Sequence, residues 1–229
     1  MVLIIGHRGA SYYFLENTKE SIMAAISQGA QMVEVDVRAT KDKKLVLYHD
    51  NTLLRLAKKS RYISGIQLAD LRKVRLHGNS RILELSDFLK ITNGKITVNL
   101  EIKVPHFEEE IVRQIKRHHH QNSAILSSKN FRIIRKIKQI DPKLKVGYVI
   151  NIGHFSRRHL HNAQKIGAYS IHPSNLKTTH RLIKYVHSLR MRVFPYAINT
   201  SGRMKYLINC GVDGIITDRP DLLRKVIKK

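Results

Sequence analysis

Three short stretches carry residues that could do acid–base or ion-binding chemistry. The first, Gly6-His7-Arg8-Gly9, sets a titratable imidazole beside a fixed positive charge, with glycines that let a ligand approach the backbone closely. The second, Val33-Glu34-Val35-Asp36-Val37, is an apolar run with two carboxylates two residues apart, which alternation along a strand turns to the same side. The third, Thr97 to Ile102, brings Glu101, with Lys103 just past its end. The first lies just beyond a short apolar run, Val2 to Ile5, that reads as a buried strand stopping at Gly6, and the other two read as buried strands that are polar at or near their C-terminal ends.

Those ends need a scaffold that gathers them. Strands are expected near 2–5, 32–37, 97–102, 123–126, 145–150, 169–171, 192–196 and 213–216. Helical patterns over 17–28, 107–118, 130–140, 156–165, 175–188, 201–209 and 220–227 follow all of them except the second directly. Crossovers of this length imply a parallel sheet, and eight such units favour closure into an α/β TIM (β/α)8 barrel, its last helix beside its first. A chain of 229 residues with 42% hydrophobic content can bury one such core, so residues 1–229 read as a single barrel domain. Leu45 to Tyr48 is a further extended run ending at His49-Asp50. The irregular stretch of about 51–83, helix-like at 68–74, reads as a short insertion after the second strand.

Active sites of such barrels gather at the C-terminal ends of the strands, so Glu34, Asp36 and Glu101 should meet His7 and Arg8 at one mouth. Three carboxylates there would raise one another's pKa unless a cation held them. All-oxygen ligation suits Mg²⁺ or Ca²⁺, the alternative being that the acids pair with the abundant Lys and Arg.

That abundance is the main compositional signal: 42 Lys+Arg against 17 Asp+Glu, a formal +25. Between Ile111 and Val212 the only acid is Asp141. Such a field attracts polyanions, anionic lipid surfaces and phosphorylated small molecules. Zinc-finger spacing, RNP-type aromatics and basic-zipper heptads are absent, so no specific nucleic-acid partner is expected. No apolar run approaches the ~20 residues that span a bilayer, and no secretory signal is read at the N-terminus. The single Cys210 allows no internal disulfide and fits a reducing cytosol; a cytoplasmic location is expected. His118-His119-His120 reads as a solvated helix end, Asn199-Thr200-Ser201 as a phosphate site or a helix cap, and Asp218 as part of the last barrel turn.

The chain resembles the glycerophosphodiester phosphodiesterases over nearly its whole length. The residues that carry the resemblance are His7-Arg8-Gly9, Glu16-Asn17-Thr18, Glu34-Val35-Asp36-Val37, Thr40-Lys41-Asp42, His49-Asp50, Asn99-Leu100-Glu101-Ile102-Lys103, Ser127-Ser128 and Gly211-Val212-Asp213-Gly214-Ile215-Ile216-Thr217-Asp218-Arg219-Pro220. The resemblance implies a TIM barrel, a divalent metal on Glu34, Asp36 and Glu101, and acid–base roles for His7 and His49, with His7 taken as base and His49 as acid. Arg8 and Lys103 would contact the phosphate. The chain departs from the family at Leu15, where proline is usual, and at Tyr196, which stands near a usual tryptophan and can wall the pocket. The implied reaction turns a small glycerophosphodiester into sn-glycerol 3-phosphate and an alcohol such as choline or ethanolamine. Two other readings stand beside it. One is a lysophospholipid-cleaving enzyme in peripheral contact with an anionic membrane; the other is a non-catalytic basic binding module.

Overall fold

The computed structural model describes residues 2–150 and 156–228. The sheet is built outward from β2 (Met32–Ala39), whose run of β-branched residues is buried along nearly its whole length. It pairs in parallel with β1 (Leu3–His7) on one side and β4 (Thr97–Ile102) on the other. Beyond β4 the parallel order continues through β5 (Ala124–Ser128), β6 (Lys145–Ile150), β7 (Ser170–Pro173) and β8 (Arg192–Val193), and beyond β1 lies β9 (Gly214–Thr217).

Closure between β8 and β9 is made by a strand that looks short. Pro195 offers no N–H, so regular pairing ends at Val193 rather than at 196 as expected. The chain nonetheless stays in place: Phe194 N donates to Ile171 O at 2.9 Å and Tyr196 N to Pro173 O at 3.0 Å. Toward β9, Pro195 O accepts from Ile216 N at 2.9 Å, and Ile198 N donates to Ile216 O at 3.0 Å. The result is the expected eight-stranded parallel barrel with helices between strands.

The outer helices are α1 (Lys19–Ser27), α5 (Glu108–Arg117), α6 (Phe131–Ile140), α7 (Arg157–Lys165), α8 (His180–Ser188), α9 (Ser201–Asn209) and α10 (Pro220–Ile227). Each buries an apolar stripe, such as Ile133, Ile134 and Ile137 of α6, and leaves lysine and arginine outside. The helix expected over 175–188 is split: a 3-10 turn at Asn175–Lys177 precedes α8, which Thr179 caps through Leu182 N at 3.2 Å. Arg224 of α10 lies against Gly29 at the end of α1, so the last helix sits beside the first.

Between β2 and β4 the chain leaves this rhythm. β3 (Leu45–Leu47) runs antiparallel to β2, followed by α2 (Leu54–Ala57), α3 (Leu68–Leu71) and α4 (Leu85–Thr92). Val46, Tyr48, Leu53, Leu56, Ile63 and Leu71 belong to a separate small apolar cluster that supports this excursion. His120 corrects the reading of a solvated histidine run. The helix ends at Arg117 and His119 takes φ 57°, which folds His120 back into the protein, Nε2 at 2.9 Å from Leu89 O.

Inside the barrel, Ile5, Met32, Ile125, Phe194 and Ile216 form an apolar plug. Two residues further along the strands, the inward positions become His7, Glu34, Ser127 and Asp218. Register keeps the layers level, Ile5 opposite Met32 and His7 opposite Glu34. The polar mouth thus rests directly on an apolar floor.

Candidate active site

Asp36 stands opposite Glu101 across the β2–β4 ladder, and Glu34 opposite Asn99. Glu34, Asp36 and Glu101 bring carboxylate oxygens within 4.8 Å of one another. Burial and the neighbouring Asp36 push Glu34 up to about 7. Burial would raise Asp36 as well, but Lys103 and Arg8 outweigh it and hold that carboxyl well below the usual range. Lys103 Nζ lies 2.8 Å from Asp36 Oδ1 and 2.6 Å from Glu101 Oε1. Glu34 accepts the Arg8 amide at 3.0 Å. Pairing with basic residues therefore accounts for Asp36 and Glu101, while Glu34 is left with a proton affinity that a hard cation would remove. Three hard oxygen donors so arranged fit a divalent ion of the Mg²⁺ or Ca²⁺ type.

Two backbone devices aim cations and amides at Asp36. Arg8 and Asn17 both take left-handed conformations, φ 53° and 58°. Arg8 Nε pairs with Asp36 Oδ2 at 3.1 Å, and Asn17 both donates to Asp36 Oδ2 and accepts from Asp36 N at 3.0 Å. Gly9 lets this turn form: a Cβ there would lie 2.5 Å from Ser21 in the first turn of α1. Thr18 caps that helix, so each residue of Glu16-Asn17-Thr18 has a distinct task.

The histidines flank the carboxylates. His7 Nδ1 meets Asp218 Oδ1 at 2.6 Å, and Asp218 also accepts from Ser11 Oγ at 2.8 Å and from Asn199 Nδ2. Burial alone would lower His7, but the Asp218 hydrogen bond and Glu34 leave it raised. His49 Nδ1 meets Asp50 Oδ1 at 2.7 Å; burial leaves His49 lowered despite Asp36. Asp50 accepts Arg55 Nε at 2.6 Å, and Arg55 also grips Glu16 through both terminal nitrogens at 2.6 and 2.9 Å. Glu16 in turn accepts Arg8 Nη1 at 2.9 Å. An unbroken chain His49–Asp50–Arg55–Glu16–Arg8–Asp36 thus ties the excursion to the barrel mouth. On the His49 side an open groove of about 400 Å³ runs past Arg38, Lys103 and Lys129.

Comparison with known proteins follows the same outline. The family model described as "Glycerophosphoryl diester phosphodiesterase family" matches residues 7–222. The chain belongs to this family. A glycerophosphodiester phosphodiesterase from Caldanaerobacter subterraneus subsp. tengcongensis is 31% identical, the match covering 99% of this chain and 98% of that one. Among solved structures, the Thermotoga maritima glycerophosphodiester phosphodiesterase superposes with TM-score 0.85 at 27% identity, over 99% of this chain and 98% of that one. An Oleispira antarctica phosphodiesterase, in complex with its product sn-glycerol-3-phosphate, has the same fold, TM-score 0.91 at 24% identity over 99% and 97% of the two chains.

All eight residues singled out in the sequence lie at the mouth of this phosphodiesterase fold. His7, Arg8, Glu34, Asp36, Glu101 and Lys103 form one contiguous group, with His49 beside them across the groove and Tyr196 on the floor. There Glu34, Asn99, Glu101, His172 and Tyr196 surround a void of about 10 Å³, room for a single water. Asp218, expected in the last barrel turn, and Asn199, expected as a cap or phosphate site, bond to each other, and Asp218 bonds to His7. Their position after strands seven and eight was the available signal. His172 gave none: it is buried in the barrel, Nε2 at 2.8 Å from Ser170 Oγ, and burial pushes it down to about 3.

Proposed function

We propose that this phosphodiesterase hydrolyses small glycerophosphodiesters, such as glycerophosphocholine or glycerophosphoethanolamine, to sn-glycerol 3-phosphate and the free alcohol. The observation that carries this reading is the pair of carboxylate-bound histidines on either side of one buried three-carboxylate cluster. The names of the Caldanaerobacter relative and the product held by the Oleispira structure support it. Deacylated headgroups of this kind are water-soluble, which fits action in the cytoplasm.

A phosphodiester resists attack because its own anion repels nucleophiles. Glu34, Asp36 and Glu101 would hold the divalent ion, Mg²⁺ or Ca²⁺, which when bound supplies positive charge to the phosphoryl oxygens. Arg8 and Lys103 add fixed cations at the same point, where they stabilise the charge that grows as the bond breaks. Asp218 takes up Nδ1 of His7 and leaves Nε2 to accept the proton of the attacking hydroxyl. That hydroxyl is either water's, which gives sn-glycerol 3-phosphate directly, or that of the substrate's glycerol, which expels the alcohol and leaves a cyclic phosphate that water then opens to the same product. The raised proton affinity of His7 suits that task. His49, bound to Asp50 at Nδ1, faces the groove and gives a proton to the departing alcohol, which its lowered affinity makes easier. Tyr196 walls the floor beside Glu34 and Glu101.

The test is release of sn-glycerol 3-phosphate from both substrates with Mg²⁺, with Ca²⁺ and with EDTA, beside Glu34→Ala. The expected result is metal-dependent release that EDTA abolishes and the variant lacks. Release that persists in EDTA would exclude the metal role, and failure on both substrates under either ion would exclude this substrate class.

A further inference from the structure

At the end of the barrel opposite the histidines, the turns entering β6, β7 and β8 enclose a second groove of about 450 Å³. Lys138, Lys143, Lys145, Arg190 and Arg192 line it, and no carboxylate does. Asp141, the one acid between Ile111 and Val212, is paired with Lys116 at 2.8 Å. Lys138 is engaged too, capping the carbonyls of Pro142 at 2.6 Å and Leu144 at 3.1 Å. The other four have no ion-pair partner among the described residues. Lys145 and Arg192 moreover lean on the same ring, 5.2 and 5.1 Å from the centre of Tyr169. The two cations come from the strands on either side of β7, so Tyr169 holds a positive charge from each at the groove, a field that favours a multivalent anion.

We propose that this groove is a binding site for a compact oligophosphate, an anion with two or more linked phosphate groups. Two arginines offer paired donors matched to phosphate oxygens, and four cations on the two turns that enter β6 and β8 exceed what one phosphate can neutralise. The concave shape suits a small ligand rather than a flat bilayer. The ring of Tyr169, already engaged by two cations, is not free to stack a base, which disfavours nucleic acid. The site is separate from the catalytic mouth, since its residues lie at the N-terminal ends of β6, β7 and β8, whereas the catalytic groups gather at the opposite, C-terminal end of the barrel.

Isothermal titration of the full chain with sodium tripolyphosphate, free of divalent ions and at low salt, tests this. Binding should survive Lys103→Gln at the mouth and weaken about tenfold or more in Lys145→Gln/Arg192→Gln, with thermal melting unchanged because both side chains are exposed. Should the double variant not fold, Lys143→Gln on the exposed turn should weaken binding about threefold. Orthophosphate should bind at least about tenfold more weakly than tripolyphosphate. Parent-like affinity in the groove variants, loss in Lys103→Gln, equal affinity for orthophosphate, or no binding would each overturn the proposal. So would loss of binding to phosphatidylserine vesicles in the double variant with tripolyphosphate binding intact, in favour of a membrane surface.

Discussion

His7 and His49 are each held at Nδ1 by a carboxylate, at 2.6 and 2.7 Å, so the acid fixes the tautomer and Nε2 is the atom left to meet substrate. Asp218→Asn keeps the shape of the side chain and removes that control. We expect kcat to fall about 10²-fold with KM little changed. Because Asp218 helps raise His7 against the effect of burial, the acid limb of the kcat/KM profile should also move to lower pH. Steady-state kinetics across pH read both, and a change confined to KM would mean that Asp218 acts only on binding. For His49→Ala, leaving-group ability is the discriminator. Loss should approach about 10²–10³-fold on glycerophosphocholine and be far smaller on a nitrophenyl ester, whose leaving group needs no proton. Equal losses on the two substrates would remove His49 from the acid role.

Among the elements, α2 is only four residues long, yet it delivers Arg55 to Glu16 and Asp50 together and so couples the loop after β1 to the loop after β3. Short elements of this kind gain their stability from what they tie rather than from propensity. β6 shows the reverse dependence, a strand shaped by its neighbour. A Cβ on Gly147 would come within 2.7 Å of His172 Nε2 and 3.0 Å of Ser170 Oγ. Gly147→Ala should therefore destabilise the fold by about 1–3 kcal/mol, as overpacking does, measured by urea unfolding. In the double variant with His172→Ala the costs should be less than additive, because the clash is gone; strict additivity would show that the two sites do not touch.

Over the whole molecule, His172 is one buried contributor to stability against acid. His172 is buried and neutral, pushed down to about 3, while an unfolded histidine titrates near about 6.5. Between those values the unfolded chain binds the additional proton. The contribution is full above pH 6.5 and is lost at about 1.4 kcal/mol per pH unit as pH falls toward 3. In His172→Gln the slope of unfolding free energy against pH should shrink by one proton over that window, read from denaturant melts at several pH values; an unchanged slope would remove His172 as the cause. No helix among the described residues is long and apolar enough to cross a membrane, and the lysines and arginines behind the +25 charge are spread over turns and helix faces alike.

The order of strands and helices, the alternation Val33-Glu34-Val35-Asp36-Val37 and the gathering of His7, Arg8, Glu34, Asp36, Glu101 and Lys103 were legible in the sequence. Period and chemistry are properties of residues close together in the chain, and strand order in a parallel barrel leaves little freedom in where their ends go. The pairing of His7 with Asp218, 211 residues away, and of Arg55 with Glu16, 39 away, was decided only in three dimensions. So were the burial of His120 and His172 and the all-cationic groove beneath the barrel. Each depends on which turns and strands become neighbours, and on backbone at positions such as Arg8, Asn17 and His119 entering a left-handed conformation that tertiary contacts hold in place.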